Sequence, residues 1–483
     1  GITIIENNNS LNIEEVKLST LLTSPQVIDN KGTTIINNST ITTATTDNGT
    51  INNEENGILK ITDSTIAKTE RYGNNIKNSG TVTIDNTEFK FVYDYYSDYY
   101  NIYNLSTGNV IVNGGTYSNG RFIKNVGEAT INDLIDTSGD YYDMRNYGGT
   151  LNLNNIDKSN SYGEVRNDTN NNIKGTINIK GGSYNYYINN YGDLNLSGTT
   201  IKVSSNNALN NYSTGIVNIE DTIIESTNNI AIYNDVYNNT TGIVNVKNST
   251  IKAKRYGIQN RNTGSINITG TTSVTSIENH GIYNDSTGTI NIGEKDGNVS
   301  TETPIITGKT YGIYNNNNNS VFNFYDGVVK GETGAIYGKV NDIETNYEII
   351  TKTEDGVEIK YLAQLPVAKI VSTNKEYLTL QSAFDESESG DTIQMLRNVT
   401  TLSTSQSIAI SEEKNVILDL NGYTMNSSTP KAFINHGTLK IVDSSEEKQG
   451  SLIGTGVMLI ENNNSLNIEE VKLSTLLTSP QVI

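Results

Sequence analysis

The chain has 483 residues, a formal net charge of −19, 34% hydrophobic residues, 5 Pro, and neither Trp nor Cys. Such acidity argues against nucleic acid and anionic membranes as partners, because both are polyanions that require basic patches. The length exceeds one conventional core, the lack of Cys excludes a disulfide scaffold, and the regular recurrence of Ile, Val and Leu separates the chain from low-complexity disorder; together these favour an elongated repeat that grows by stacking.

In chain order, the first feature is the segment IENNNSLNIEEVKLSTLLTSPQVI at residues 5–28, which returns letter for letter at 460–483, an offset of 455 residues. The sequence therefore reads as one period plus the opening of another. These residues hold no signal peptide, no apolar run long enough to cross a bilayer and no sorting motif; if the full gene encodes any, they lie outside this stretch. Within the period a shorter unit recurs: an apolar residue, any residue, Asn, a few turn residues with Gly, then apolar-polar-apolar. Examples are IKNSGTVTI (76–84), IKNVGEATI (123–131), INNYGDLNL (188–196), IQNRNTGSINI (258–268), IYNDSTGTINI (282–292) and, later, FINHGTLKI (433–441). Pairs such as Val82/Ile84, Leu151/Leu153 and Ile266/Ile268 alternate with polar residues, the period-2 mark of a strand. A further apolar residue follows after a Ser or Thr, as in KITDSTI (60–66) and NVKNSTI (245–251), which adds a bend and another short strand. The expected fold is all-β, a parallel β-helix solenoid with coils of about 21–26 residues.

The recurrent Asn are Asn7, Asn30, Asn53, Asn78, Asn104, Asn125, Asn146, Asn167, Asn190, Asn211, Asn234, Asn260, Asn284 and Asn315. An Asn at a tight bend bonds nearby backbone and tolerates left-handed torsions, and amides repeated rung on rung can bond one another, so an internal Asn ladder is expected. A second column, Asn12, Asn152, Asn178, Asn195, Asn218, Asn245, Asn267, Asn291 and Asn323, falls between the paired core positions and is expected to be solvated surface. Aromatic residues supply the other notable feature. FVYDYYSDYYNIYN (91–104) gathers Tyr93, Tyr95, Tyr96, Tyr99, Tyr100 and Tyr103, while Tyr103, Tyr233, Tyr283 and Tyr314 share the outward place between apolar residue and ladder Asn. The cluster reads equally as glycan-contact rings or as structure; for the column, cross-rung stacking is the preferred reading.

The coil pattern lapses after Gly338. NYEIITKTEDGVEIKYLA (346–363) reads as two strands about Asp355-Gly356, and EYLTLQSAFDESESGDTIQML (376–396) contains a helix with Leu380, Ala383 and Phe384 on one face. The division expected is a β-helix body over 1–338, a hairpin junction over 339–365, and a cap helix with the first coils of a further β-helix over 366–483.

On these motifs the chain resembles right-handed parallel β-helix proteins, the architecture of pectate lyases, phage tailspikes and many bacterial adhesins. The stretch from PVAKIVSTNKEYLTL to ILDLNGYTM is similar to the start of β-helix repeats in large surface proteins of low-GC Gram-positive bacteria. That resemblance implies right-handed winding, a short helix capping the first coil, a hairpin closing the preceding module, and placement outside the cell at the bacterial surface. It also implies a module that starts near Pro366 and ends near Ala363 of the next copy.

Chemistry leaves little trace. Glu14/Glu15, Glu54/Glu55, Asp385/Glu386/Glu388 and Glu412/Glu413 fall in bends or the cap and read as solvated charge; His280 and His436 are remote from each other and have no Cys to complete a metal set. Neither a calcium loop nor a nucleophile elbow occurs. No catalytic residue, metal or cofactor is expected. The expected role is a structural or adhesive filament of tandem repeats whose partners are further copies end to end, by covalent tandem linkage in preference to non-covalent stacking. The alternative is a carbohydrate-binding or polysaccharide-degrading β-helix with host or microbial glycans as ligands.

Overall fold

A computed structural model describes all residues other than 1–2, 20–25, 45–48, 70–71, 92–97, 138–142, 213, 236–240, 402–404, 456–457 and 476–483. It contains two compact units, residues 1–344 with 349–362 and residues 345–348 with 363–483. Each unit is a parallel β-solenoid.

In the first unit each of the first fourteen coils contributes one short strand to each of three sheets. Three-residue strands such as Ile76–Asn78 build the first sheet, five-residue strands such as Thr81–Asp85 the second, and strands such as Thr65–Lys68 the third. The first two sheets run through fifteen successive rungs. Pairing is in register, with Ile76 beside Ile102, Asn78 beside Asn104, Val82 beside Val110 and Ile84 beside Val112. The inward residues of all three sheets therefore stack as files along a narrow core.

The corner between second and third sheets shows why the chain turns where it does. Glu15 takes this place at positive φ on the first rung, and later rungs use a single Asn38, Asp63, Asn86, Asp133, Asn155, Gly198, Asp221, Asn248 or Gly270, or the pairs Gly114-Gly115 and Gly181-Gly182; Asn, Asp and Gly predominate. These are the residue types that enter the left-handed region at least cost. The buried hydroxyl that follows returns a bond to the backbone: Ser39 Oγ donates to Asn37 O at 2.7 Å and accepts Val16 N–H at 3.1 Å. The same pair of bonds recurs at Ser249, with Lys247 O and Thr222 N.

The third sheet's inner file is apolar or aromatic on most rungs, running Ile41, Ile66, Phe89, Tyr117, then Tyr184, Ile201, Ile224 and Ile251. Between Tyr117 and Tyr184 two consecutive rungs carry Asp136 and Lys158 instead. At the last rungs of this unit, Val357–Gln364 runs antiparallel to Val328–Gly331 and closes the edge of the third sheet; it is joined to Tyr347–Glu354 by Asp355-Gly356, at φ 48° and 80°.

The second unit has nearly four coils, in sheets of six, four and three strands. Its first coil edge is closed by Ala368–Ile370, antiparallel to Thr392–Met395, and by helix α1, Leu380–Glu386. Thr379 caps α1 by accepting the Ser382 N–H, and Leu380, Ala383 and Phe384 are its buried face, with Phe384 edge-on to Phe433.

Candidate functional site

The Asn file is continuous. All fourteen residues from Asn7 to Asn315 lie in it, and across thirteen steps each Nδ2 donates to the next rung's Oδ1 at 2.7–3.0 Å. The amides are almost wholly buried. Asn104 Nδ2 also donates to Gly108 O at 3.0 Å, and Asn78 Oδ1 also accepts Gly80 N–H at 3.1 Å, so the amides also satisfy the turn that follows. That turn passes so close that a Cβ on Gly108 would lie 2.1 Å from Asn104 Oδ1, which is why Gly follows the Asn so regularly. In the second unit Asn435 donates to Asn462 in the same direction, at 2.7 Å.

Asn462 is the 455-residue counterpart of Asn7, and the duplicated segment folds alike in both places. Ser10–Glu14 and Ser465–Glu469 are the same strand; Lys17–Ser19 and Lys472–Thr475 begin at equivalent residues; Glu15 and Glu470 turn the corner at φ 55° and 60°. In the first unit this rung is the first and its Asn donates onward to Asn30; in the second it is the last and its Asn accepts from Asn435. One sequence thus presents both faces of a rung.

The Tyr cluster divides. Tyr93, Tyr95 and Tyr96 lie outside the described residues. Tyr99 is half-buried and edge-on to Tyr72, with centroids 6.3 Å apart. Tyr100 is fully buried with the Arg121 guanidinium 5.7 Å from its ring centre, and burial pushes its hydroxyl pKa up. A buried ring has no face for a sugar, so Tyr100 does not serve as a glycan contact. Tyr103 does face outward, with Lys124 Nζ 5.2 Å from its ring centre. Farther along the same face Arg145 and Arg166 hold Asp168 at 2.6 and 2.9 Å. Beside them Glu164 is buried, and burial raises its carboxyl to about 7.

The Tyr column is engaged with itself. Tyr314 stacks on Tyr337 at 4.3 Å and on His280 at 4.4 Å, and Tyr283 lies 5.8 Å from Tyr314. His280 meets Thr310 Oγ1 through Nδ1 at 2.7 Å, and burial lowers its imidazole to about 4.

The second Asn column is more than solvated surface. From Asn323 back to Asn152 each amide donates to the preceding rung at 2.7–2.9 Å, opposite in direction to the inner ladder. Asn218, Asn245, Asn267 and Asn291 floor a shallow groove of about 800 Å³, with Glu220, Lys247, Lys295 and Tyr325 also lining it. Lys247 pairs with Glu220 at 3.0 Å, and Lys295 and Tyr325 both bond Asp342, at 2.8 and 3.0 Å.

Comparison of the chain with protein-family models, with curated proteins and with solved structures finds no match in any of the three.

Proposed function

We propose that this chain belongs to a structural or adhesive filament of tandem 455-residue β-solenoid repeats at the outside of a bacterial cell. One observation carries the reading. Among the described residues each unit has one end at which an antiparallel strand closes a sheet edge and an opposite end at which none does, and those opposite ends bear the same rung in ladders of one direction, Asn7 donating to Asn30 in one and its counterpart Asn462 accepting from Asn435 in the other. A rod continues across such a seam without new chemistry, because residues 460–475 already sit as the rung on which residues 28–43 rest in the other copy. Tandem covalent copies account for the in-chain restart; non-covalent stacking of separate chains is the variant. No step of catalysis is proposed.

The test is imaging of the native material together with fibre diffraction. Thin unbranched rods that lengthen by on the order of 90 Å per repeat, with an axial spacing of about 4.8 Å, are expected. Compact particles, or a native chain of only 52.8 kDa on a denaturing gel, would overturn the tandem reading.

The groove over the outer Asn ladder supports a second reading, glycan binding, since amides and a Tyr ring edge are suited to sugar hydroxyls and faces. Titration calorimetry with oligosaccharides on the wild type and on Tyr325→Ala separates the two; heats that the substitution abolishes favour this second role.

A further inference from the structure

In a solenoid core built from files of Ile, Val, Leu and aromatic rings, a lysine between two aspartates is an anomaly that demands an explanation. Asp136 and Lys158 are neighbours across adjacent rungs, since Ile135 pairs with Asp157 in the preceding register position, and both point inward. Their side chains are 0% and 1% exposed, and that of Asp143, which enters the same space, is 0% exposed. Lys158 Nζ contacts Asp136 Oδ2 and Asp143 Oδ2, and donates to Ser161 Oγ at 3.1 Å. Asp143 is fixed by the Phe122 N–H, which donates to its Oδ1 at 3.2 Å, and by a glycine that makes room for it, because a Cβ on Gly163 would lie 2.4 Å from Asp143 Oδ2. Tyr117 lies on one side and Tyr184 on the other, with the Tyr184 hydroxyl buried and lacking a hydrogen-bond partner.

As a permanent ion cluster this arrangement is poor design. Desolvating each ion costs several kcal/mol, and a well-packed apolar residue at such a site is often the more stable choice; the neighbouring rungs of this file make that choice. The groups are instead those of a condensation: an amine, a carboxyl carbon, and a second carboxyl beside both. We propose that Lys158 and Asp136 join as an intramolecular amide, an isopeptide cross-link between consecutive rungs, with Asp143 as the acid-base group that promotes it.

The protonation states suit the step. Burial and then the charge of Asp136 hold the Asp143 carboxyl well above the usual range, so it keeps its proton. For Asp136 burial acts upward and is the largest single effect, but the Lys158 charge together with hydrogen bonds from Asp143, Lys158 and Ser161 brings its carboxyl below the usual value, so the pair begins as ammonium and carboxylate. In this low-dielectric pocket the ammonium passes a proton to the Asp136 carboxylate, leaving a neutral amine and a neutral acid. Lys158 Nζ attacks Asp136 Cγ, forming the C–N bond. Asp143 gives its proton to an Asp136 oxygen and takes one from the nitrogen. On collapse of the tetrahedral intermediate the C–O bond breaks, and Asp143 relays a proton to the departing hydroxyl, which leaves as water. Ammonium and carboxylate become amide and water, with no oxidant and no change in net charge, and Asp143 ends as it began. Holding the reactants in contact supplies the advantage of an intramolecular reaction, and the product removes two charges from the core. The inference rests on this pocket alone and is independent of the filament reading.

The test is the intact mass of the folded, purified full chain under denaturing conditions, followed by peptide mapping. The expected mass is one water below that of the sequence, with a branched peptide joining Asp136 to Lys158 and no tryptic cleavage after Lys158. Lys158→Met, which restores the apolar character of the file, is expected to fold and to show the full sequence mass. Asp143→Asn is expected to fold and form the cross-link at least ~100-fold more slowly. A folded wild type of full sequence mass overturns the proposal. So does a water loss that maps to a linear peptide, or a branch on Asp143 instead of Asp136. Full cross-linking in Asp143→Asn overturns the role given to that residue.

Discussion

At the scale of single residues the inner and outer Asn columns look alike in sequence and differ in consequence. Asn146 donates to Asn167 at 3.0 Å and accepts from Asn125 at 2.9 Å in the dry interior, and donates to the half-buried Gly149 O at 2.7 Å. Asn146→Ala strands those buried partners at ~1–3 kcal/mol each, so a loss of roughly 3 kcal/mol or more is expected in urea unfolding followed by circular dichroism. Asn218→Ala in the outer ladder frees partners that water can reach, and a change within about 0.5 kcal/mol is expected. Glu164 makes a pH prediction. Its folded-state value of about 7 lies above the unfolded carboxyl, so the native state binds the proton more tightly. The stability it contributes is complete below about pH 4.5 and is lost as pH rises through about 7, by at most ~3 kcal/mol. Facing it are Arg166 and Asn189, which oppose the shift, and Asp168, which adds to it. Glu164→Gln is expected to remove that slope, so the difference between wild type and variant grows from pH 5 to pH 8. The ladder was legible because apolar-x-Asn recurs at one place in each coil. Asp136 was not: Leu134 and Ile135 are adjacent apolar residues, so alternation gives no phase. The short strand places Leu134 and Asp136 inward and leaves Ile135 46% exposed. Only the fold brings Asp143 to the same point.

At the scale of elements the coil was readable from a few local rules: alternation for the second sheet, a left-handed corner residue, and a Ser or Thr that ties the corner down. The helix and the hairpin were readable as well, because the capping Thr379 and the Asp355-Gly356 turn are local signals. What local signals do not carry is which edge each element covers. Val357–Gln364 lies on the third sheet, with Glu358 Oε1 also accepting the Ala335 N–H at 2.9 Å, while Lys352, Glu354 and Lys360 put charge on the outer strands. A parallel sheet end without such cover offers unpaired N–H and C=O groups to another chain. A chain ending at Gly338 therefore exposes an edge that a chain ending at Gln364 hides. By light scattering after size exclusion the shorter chain is expected to form concentration-dependent multimers, growing by head-to-tail contact because its two ends differ. The longer chain is expected to remain monomeric under the same conditions. Equal behaviour of the two would show that the hairpin is not the edge guard.

At the scale of the molecule, stability in a solenoid is a sum of rungs and of the interfaces between neighbours, so the weakest interface sets where the rod opens. In the tandem arrangement proposed above, the interface that would matter most is the seam between copies, and the contacts it would use are present separately in the two units. Asn435 donates to Asn462 at 2.7 Å on one side of the duplicated rung, and Asn7 donates to Asn30 at 2.8 Å on the other. The backbone register is complete on both sides as well, with Thr438 to Val442 paired to Ser465 to Glu469 and Ser10 to Glu14 paired to Thr33 to Asn37. Nothing in the rung has to rearrange to hold both neighbours at once, because one partner uses its lower face and the other its upper face. A protein of two repeats, in which residue 483 is followed by the counterpart of residue 29, is therefore expected to have no weak point at the join. In hydrogen exchange the amides of the duplicated rung and of the counterpart of Thr33–Asn37 should be protected as well as those of a mid-body strand such as Thr150–Asn154. Limited proteolysis should cut no faster there than in the body. Rapid exchange confined to the join, or a dominant cleavage within it, would mean that the copies are beads on a linker, and the continuous rod would have to be given up even with every other rung intact.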